Sequence, residues 1–165
     1  VVGIYFFFKS EKIAVSPYKS TDTTGEEADT ISLCFYYEKL ADRGQSDIAW
    51  LKLNLTGDEV AGEFQNIPVE KDKKIGIFDG TVGPLDPIAM ARTADVWWHS
   101  EAEGMNVTEQ LKIVFGEGNA TVGFGEMVDR GDGVYVYKDI SNLYYIPSMS
   151  DVACQELDDK ITIGK

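Results

Sequence analysis

Residues 47–64 read DIAWLKLNLTGDEVAGEF, the clearest pattern in the chain. Leu51, Leu53 and Leu55 alternate with polar neighbours, which is the period of a strand with one buried face. Thr-Gly-Asp at 56–58 is typical of a tight turn, and a second alternating run follows it. The segment therefore predicts a β-hairpin with one apolar face.

Short β-rich runs joined by polar links continue on both sides of this hairpin. They cover residues 31–39, 73–82, 91–103, 107–118, 119–129 and 133–139. No stretch of this region keeps an apolar period of 3.6 residues for three turns, so the pattern is all-β. About eight strands in succession predict an antiparallel meander, and closing it into a barrel removes the exposed edges. A two-sheet β-sandwich is the alternative.

Composition limits the classes of partner. The 165 residues are enough for one domain with a real core. A net charge of −13 argues against nucleic-acid binding, which needs clustered Lys and Arg to neutralise phosphates. It also argues against lying on an anionic lipid surface.

The chain opens with eight apolar residues, VVGIYFFF, followed by Lys9. As a helix this run spans about 12 Å, against roughly 30 Å for a bilayer core, so it cannot cross by itself. Aromatic residues beside a lysine are typical of the border of a membrane span. We therefore expect residues 1–9 to be the end of an N-terminal membrane anchor or signal segment, with an isolated edge strand as the alternative.

Residues 10–30 are rich in Ser, Thr, Asp and Glu, with few large apolar side chains. Such a segment buries too little surface to offset the entropy of ordering, so we expect a flexible polar tether. The β-barrel domain then covers residues 31–157, and residues 158–165 form a C-terminal tail. This order predicts an extracytoplasmic domain that is tethered to the cell membrane and touches it only through the anchor.

The two cysteines, Cys34 and Cys154, fall near the two ends of the expected domain. A disulfide between them would join the first and last strands, and a loop of this size contributes about 4–5 kcal/mol in the chain-entropy model. An extracytoplasmic location permits such a bond. The alternative is a pair of buried free thiols in a cytosolic protein.

Several segments occur in an order that resembles a known family. CFYYEK at 34–39, KLNLTGDEVAGEF at 52–64 and EKDKKIGIFDGTV at 70–82 are followed by SEAEG at 100–104, GFGEM at 123–127 and Cys154. This set is similar to a family of small, uncharacterised bacterial envelope proteins that are membrane- or lipid-anchored. Their pattern runs from a Cys-aromatic-x-Tyr segment through Ser-Glu-Gly and Gly-Phe-Gly-Glu to a closing cysteine.

The resemblance covers residues 34–154 and implies a lipocalin-like antiparallel β fold outside the cytoplasm. It implies no reaction. The chain departs from the family pattern in two places: PLDPIAMARTADVWW at 84–98 is longer than the usual link, and SEAEG carries two extra residues within the Ser-Glu-Gly turn. The resemblance therefore does not predict the loop geometry at these two places.

Aromatic side chains are the candidates for a binding site. A barrel can hold a small apolar ligand in its mouth, and aromatic residues commonly line such cavities. They are also common as core or cross-strand pairs. The candidate ligand-binding residues are Trp50, Trp97, Trp98, Tyr135 and Tyr137.

A cluster of polar side chains offers the only candidate for catalysis. On a strand, His99, Glu101 and Glu103 share one face, and a His with two carboxylates can hold a metal or transfer protons. A two-residue period on an acidic surface produces the same pattern without function, and no nucleophile arrangement accompanies it. We therefore predict neither a catalytic residue nor a metal site, and no cofactor.

Two functions remain as hypotheses. One is non-catalytic binding of a small apolar ligand. The other is a protein-interaction module, such as an envelope inhibitor or assembly factor, without a ligand cavity. A wide apolar cavity open at one end favours the first, and a filled interior with exposed apolar residues favours the second.

The tether hypothesis predicts the effect of a truncation. Deleting residues 1–30 should leave the thermal midpoint of the domain nearly unchanged, because neither the apolar run nor the polar segment belongs to the core. Differential scanning calorimetry of the full and shortened chains measures this. A drop of many degrees would identify residues 1–8 as a core strand and overturn the anchor.

Overall fold

The computed structural model describes residues 29–41, 44–69, 73–102 and 104–163. The expected anchor at 1–9, all but the last two residues of the expected tether at 10–30, and Glu103 lie outside these ranges. Among the described residues, no helix has the length and apolar character needed to cross a membrane.

The described residues form a closed antiparallel barrel of eight strands, as the sequence predicts, with two further strands outside the ring. Around the ring each strand pairs with the next, and the last pairs with the first. The barrel strands are β1 (Thr30–Leu40), β2 (Ser46–Thr56), β3 (Glu59–Ile67), β4 (Lys74–Val82), β5 (Arg92–Ala102), β6 (Met105–Gly116), β7 (Asn119–Phe124) and β10 (Tyr144–Val152). The strands outside it are β8 (Met127–Asp129) and β9 (Val134–Tyr137), and a helix, α1 (Cys154–Ile163), follows β10.

The β2–β3 hairpin has the predicted register. Leu55 lies opposite Val60 and Leu51 opposite Phe64, so these side chains share the interior face. Gly57 in the turn has a φ of 63°, a left-handed conformation that glycine adopts without strain. The alternation of leucines read from the sequence is thus the alternation between the two faces of the wall.

The interior of the barrel is filled by apolar side chains. Leu51, Leu53, Phe64, Ile113 and Val122 have no measurable exposure. The end of the barrel that carries the β2–β3 and β6–β7 turns is closed by four further buried side chains, Leu55, Val60, Val82 and Phe115. We call this the closed end; the opposite end, where β1, β3 and β7 finish, is the open end.

The strand that closes the ring is not the one that the sequence predicts. The predicted run at 119–129 divides into β7 and β8, and the run at 133–139 forms β9, which pairs in parallel with the first half of β6 outside the ring. The closing strand is β10, which contains Pro147 and only one fully buried residue, Met149. Because proline lacks an N–H and the apolar alternation is weak, this segment carries little strand signal.

Helix α1 is a second element that the sequence pattern does not reveal. It packs on the outer face of β1 and β2, where Leu157 is fully buried against Trp50 and Cys34. Lys52 of β2 contacts the carboxylate of Asp158 on the helix. The helix therefore runs across the expected boundary between residues 157 and 158, and its packing makes it part of the domain.

A disulfide joins Cys34 to Cys154, with a Cα–Cα distance of 5.1 Å and a sequence separation of 120 residues. Cys34 lies in β1 opposite Val152 of β10, so the bond spans the seam where the ring closes. It also ties the first residue of α1 to the barrel wall. The predicted connection of the two ends of the sheet is present in the structure.

Removing the disulfide should lower the free energy of unfolding. Cys34→Ser should cost about 2–5 kcal/mol, because the cross-link restricts the unfolded chain. Urea denaturation of the variant and of the reduced parent protein measures this, and the two should agree. Thiol titration of the denatured, unreduced protein should find no free cysteine; two free thiols would contradict the bond.

Candidate binding site at the open end

An open cleft of about 1090 Å³ lies at the open end of the barrel. It runs between the end of β1, the start of β10 and the nearby ends of β2, β3 and β7. Its walls combine apolar and polar side chains, which include Tyr37, Lys39, Leu40, Asp47, Asn66, Val69, Phe124, Ile146 and Pro147.

Strand alternation explains which side chains reach the cleft. Tyr37 follows buried Phe35 at a spacing of two residues, and Asp47 precedes buried Ala49 and Leu51 by the same period. These positions continue the interior face beyond the packed core. Asp47 accepts a hydrogen bond from the backbone N–H of Val69 at 2.7 Å, which fixes the chain after β3 beside the cleft.

A second, much smaller cavity of about 50 Å³ lies deeper in the wall. It is lined by Trp98, Glu109 and Tyr137 among others, and Phe124 borders both this cavity and the open cleft. Pairing between β6 and β7 begins at Lys112 and Gly123, so the two strands are separate at this level. Strand β9 lies beside β6 here and brings Tyr137 to the gap.

An ion pair crosses the interior above Trp98. The Lys74 Nζ donates to the Glu109 carboxylate at 2.9 and 3.0 Å, from β4 to β6 across β5. It also lies 5.8 Å from the centroid of the Trp98 ring, within range of a cation–π contact. On its other side, the Trp98 ring packs against Phe64 with centroids 5.1 Å apart.

Two buried polar atoms of β5 lack a hydrogen-bond partner among the described residues. They are the indole Nε1 of Trp98 and the Oγ of Ser100, and the two residues are 1% and 2% exposed. Buried polar atoms are normally bonded to protein or to ordered water. A cavity of 50 Å³ has room for a water molecule, which would satisfy a donor on its wall.

Tyr137 holds the outer strand to the ring. Its hydroxyl donates to the backbone carbonyl of Gly123 at 2.7 Å and accepts from the backbone N–H of Lys112 at 3.0 Å. It thereby bridges β6 and β7 at the point where their pairing stops. Burial raises the pKa of the Tyr137 phenol to about 12, although the hydrogen bond from the Lys112 N–H acts in the opposite direction.

The five aromatic candidates occupy different parts of the molecule. Trp98 and Tyr137 meet at the small cavity. Trp50 lies on the outer face under α1, and Trp97 lies half-buried on the outer face of β5, where the Arg130 guanidinium is 5.7 Å from its ring. Tyr135 is half-buried in β9 and lines neither cavity.

The polar candidates lie on the outer surface. His99 is exposed; its Nδ1 is 3.1 Å from the Thr108 hydroxyl and its Nε2 is 3.3 Å from a carboxylate oxygen of Asp79. Glu101 is exposed two residues further along β5. Within the described part of the chain, no group of three or more His, Cys, Asp or Glu side chains is placed to hold a metal ion.

Several residues of the open end were not among the sequence candidates. Lys74, Glu109, Phe124 and Ile146 line the cavities. The period of two would have placed Glu109 on the face of Leu111, and Lys74 on the face of Phe78. The period of two does not point to Ile146, because β10 has no clear apolar alternation.

Comparisons of the chain with models of known protein families, with curated proteins and with solved structures give no match. The resemblance to anchored envelope proteins therefore stays a prediction. The fold and the geometry of the open end are the basis for assigning a function.

Substituting the bridging tyrosine tests its role. Tyr137→Phe leaves the Lys112 N–H and the Gly123 carbonyl without their partner, and should lower the free energy of unfolding by about 1–3 kcal/mol. Tyr135→Phe is the matched control, because no hydrogen bond joins its hydroxyl to another described residue.

The same variant should change the response to alkali. The pKa of about 12 in the folded protein lies above the value of about 10 for an unfolded tyrosine, so the folded state holds this proton more tightly. Its contribution to stability is present below about pH 10 and is lost as the pH rises toward 12. Tyr137→Phe should reduce this alkaline loss in urea denaturation between pH 9 and pH 12, and an unchanged pH profile would contradict the assignment.

Proposed function

We propose that this chain is a membrane-tethered, extracytoplasmic interaction domain that binds a partner protein at the open end of the barrel without catalysing a reaction. The observation that carries the proposal is the combination of a packed barrel interior with exposed apolar side chains around one cleft.

The interior leaves little room for a small molecule. The apolar side chains of all eight barrel strands meet in one buried cluster. The cavity beside Trp98 measures about 50 Å³, whereas ligand pockets measure about 300–1,000 Å³. A ligand enclosed within the barrel would therefore require the core to repack.

The rim of the open end exposes large apolar side chains. Leu40 is 72% exposed, and Tyr144 and Ile146 are 58% and 53% exposed. Leu40 and Ile146 both line the cleft, from β1 and β10 respectively. Exposed apolar residues beside a cleft are a common feature of surfaces that bind a partner.

The disulfide supports the proposed location. Disulfides persist in oxidising compartments, and this one closes the ring of the barrel. The apolar run at 1–9 and the polar segment after it provide the proposed anchor and tether. This order of segments would hold the domain at the outer side of a cell membrane.

A small apolar ligand is the second candidate. The open cleft measures about 1090 Å³, which is large enough for a drug-sized molecule, and Tyr37 and Phe124 contribute aromatic surface to it. The cleft also contains Lys39 and Asp47, so a ligand here would need polar groups beside its apolar part.

The absence of catalysis is part of the proposal. His99 is the single histidine of the chain. Its nearest polar neighbours are Thr108 and Asp79, on an exposed outer face rather than in a pocket. This environment supports a structural role on the surface of the sheet.

Site-specific photo-cross-linking in the source cells tests the proposal. A photoreactive amino acid at Leu40 should yield adducts with a protein, because this position borders the cleft. The same group at Ile88, which is 94% exposed in the β4–β5 connection at the closed end, is the matched control and should yield few. Equal yields at the two positions, or none at either, would overturn the proposal.

Native mass spectrometry separates the two candidates. Protein purified gently from its source should carry a second protein if the interaction hypothesis holds. A small-molecule mass increment that disappears in a Phe124→Ala variant would instead support the ligand.

A further inference from the structure

One edge of β1 is unpaired at the open end. On one side, β1 pairs with β2 along its whole length, from Thr30 to Leu40. On the other side it pairs with β10 only through Cys34, Phe35 and Tyr36. Beyond Tyr36, no described strand pairs with this second edge.

The reason for the gap lies in β10. Its register against β7 shifts between Ile146 and Met149, in the segment that contains Pro147 and Ser148. In the register of the three existing pairs, Glu38 would lie opposite Ser148, beside this irregularity. The ladder between β1 and β10 therefore stops, and the cleft opens between the two strands.

The hydrogen-bond phase of the β1–β2 ladder shows which backbone groups are free. The Ala41 N–H donates to the Gln45 carbonyl at 2.8 Å, so the backbone groups of Ala41 point toward β2. In an antiparallel ladder the direction alternates from one residue to the next. The N–H and C=O groups of Glu38 and Leu40 therefore point away from β2, toward the gap.

These backbone groups, the N–H and C=O groups of Glu38 and Leu40, have no hydrogen-bond partner among the described residues. Glu38 and Leu40 are both exposed. A free strand edge of this kind is a template for pairing with an extended chain.

The side chains beside the edge define what such a chain would contain. In a paired strand, residues opposite Tyr37 and Lys39 point into the cleft, where Phe124 and Ile146 offer apolar contact. The residue of the added strand that lies opposite Glu38 points outward, next to the Glu38 carboxylate. The net charge of −13 adds a long-range preference for a cation there and disfavours a second copy of this chain.

We propose that an extended segment of a partner protein adds to β1 as a strand, bonds to the backbone of Glu38 and Leu40, places apolar side chains in the cleft, and presents a basic side chain to Glu38. This inference rests on the proposed function, because it names the partner chemistry of the same open end. It assigns affinity to the backbone bonds and selectivity to the alternating side chains.

A synthetic peptide of alternating valine and lysine provides the probe. Its binding is measured by fluorescence anisotropy, and the pairing by amide hydrogen exchange in NMR spectra. We expect the Glu38 and Leu40 amides to exchange at least tenfold more slowly in the complex. Two methylated peptides of the same sequence are compared with it, one with N-methylated valines and one with N-methylated lysines. The one whose methyl groups replace the N–H donors that face β1 should lose binding at least tenfold, because methylation removes these donors.

Variants of the edge residue provide the matched comparison. Leu40→Pro removes the N–H and should weaken binding at least tenfold, whereas Leu40→Ala keeps the N–H and should weaken it only a few-fold. Calorimetry of both variants confirms that they are folded. The N-methylated peptide gives the same test on the unaltered protein if Leu40→Pro does not fold.

The remaining outcomes overturn the inference. No binding at millimolar peptide, equal binding of the methylated peptide, or exchange protection at other strands instead of β1 each contradicts strand addition. A dimer that protects the Glu38 and Leu40 amides without peptide assigns the edge to a second copy. If cross-linking at Leu40 succeeds while the peptide tests fail, strand addition falls and the proposed function stands; if cross-linking at Leu40 fails, the proposed function falls.

Discussion

The Cys34–Cys154 disulfide lies where only three residue pairs join β1 to β10, whereas eleven pairs join β1 to β2. Closure of the ring therefore depends on a short ladder reinforced by a covalent bond. The same bond positions the start of α1, whose Leu157 covers Trp50 on the outer face. Without closure, the edges of β1 and β10 would be exposed along their length, and the interior would open to water.

The short closing ladder also explains the form of the open end. Because pairing stops at Tyr36, the wall divides above the disulfide, and the cleft lies in the division. The core remains packed below this level by Phe35, Phe64 and Met149. The packed half toward the closed end and the divided half toward the open end therefore both follow from the short pairing between β1 and β10.

The predictable part of the fold was the part with strong alternation. The strand β2 can be predicted from Leu51, Leu53 and Leu55, because each of them faces the interior and each neighbour faces outward. The closing strand has exposed Tyr144, Tyr145 and Ile146 at its start and a proline after them, so its burial does not follow a simple period. Helix α1 has a weak sequence signal because it is only ten residues long and, among its side chains that the structure describes, only Leu157 is fully buried.

The candidate site was predicted less well for a related reason. Trp50 is a cavity candidate by residue type, yet it lies between inward-facing Ala49 and Leu51 and must face outward. Trp97 and Trp98 are adjacent, so at most one of them can face the interior. Residue type alone suggests aromatic contacts with a ligand, whereas the alternation of side chains along the strand determines whether each aromatic ring faces the interior or the outside. The seam itself arises from long-range pairing between residues more than 100 positions apart, which no local pattern encodes.

The positions of the three tryptophans give the molecule three separate optical reporters. Indole emission depends on the polarity around the ring, and the three rings have different surroundings. Trp98 is enclosed within the barrel, Trp50 is covered by α1, and Trp97 lies half-buried under Arg130. Undocking of the helix, loosening of the core and changes at the outer wall would each therefore alter the spectrum through a different residue, with no label added to the chain.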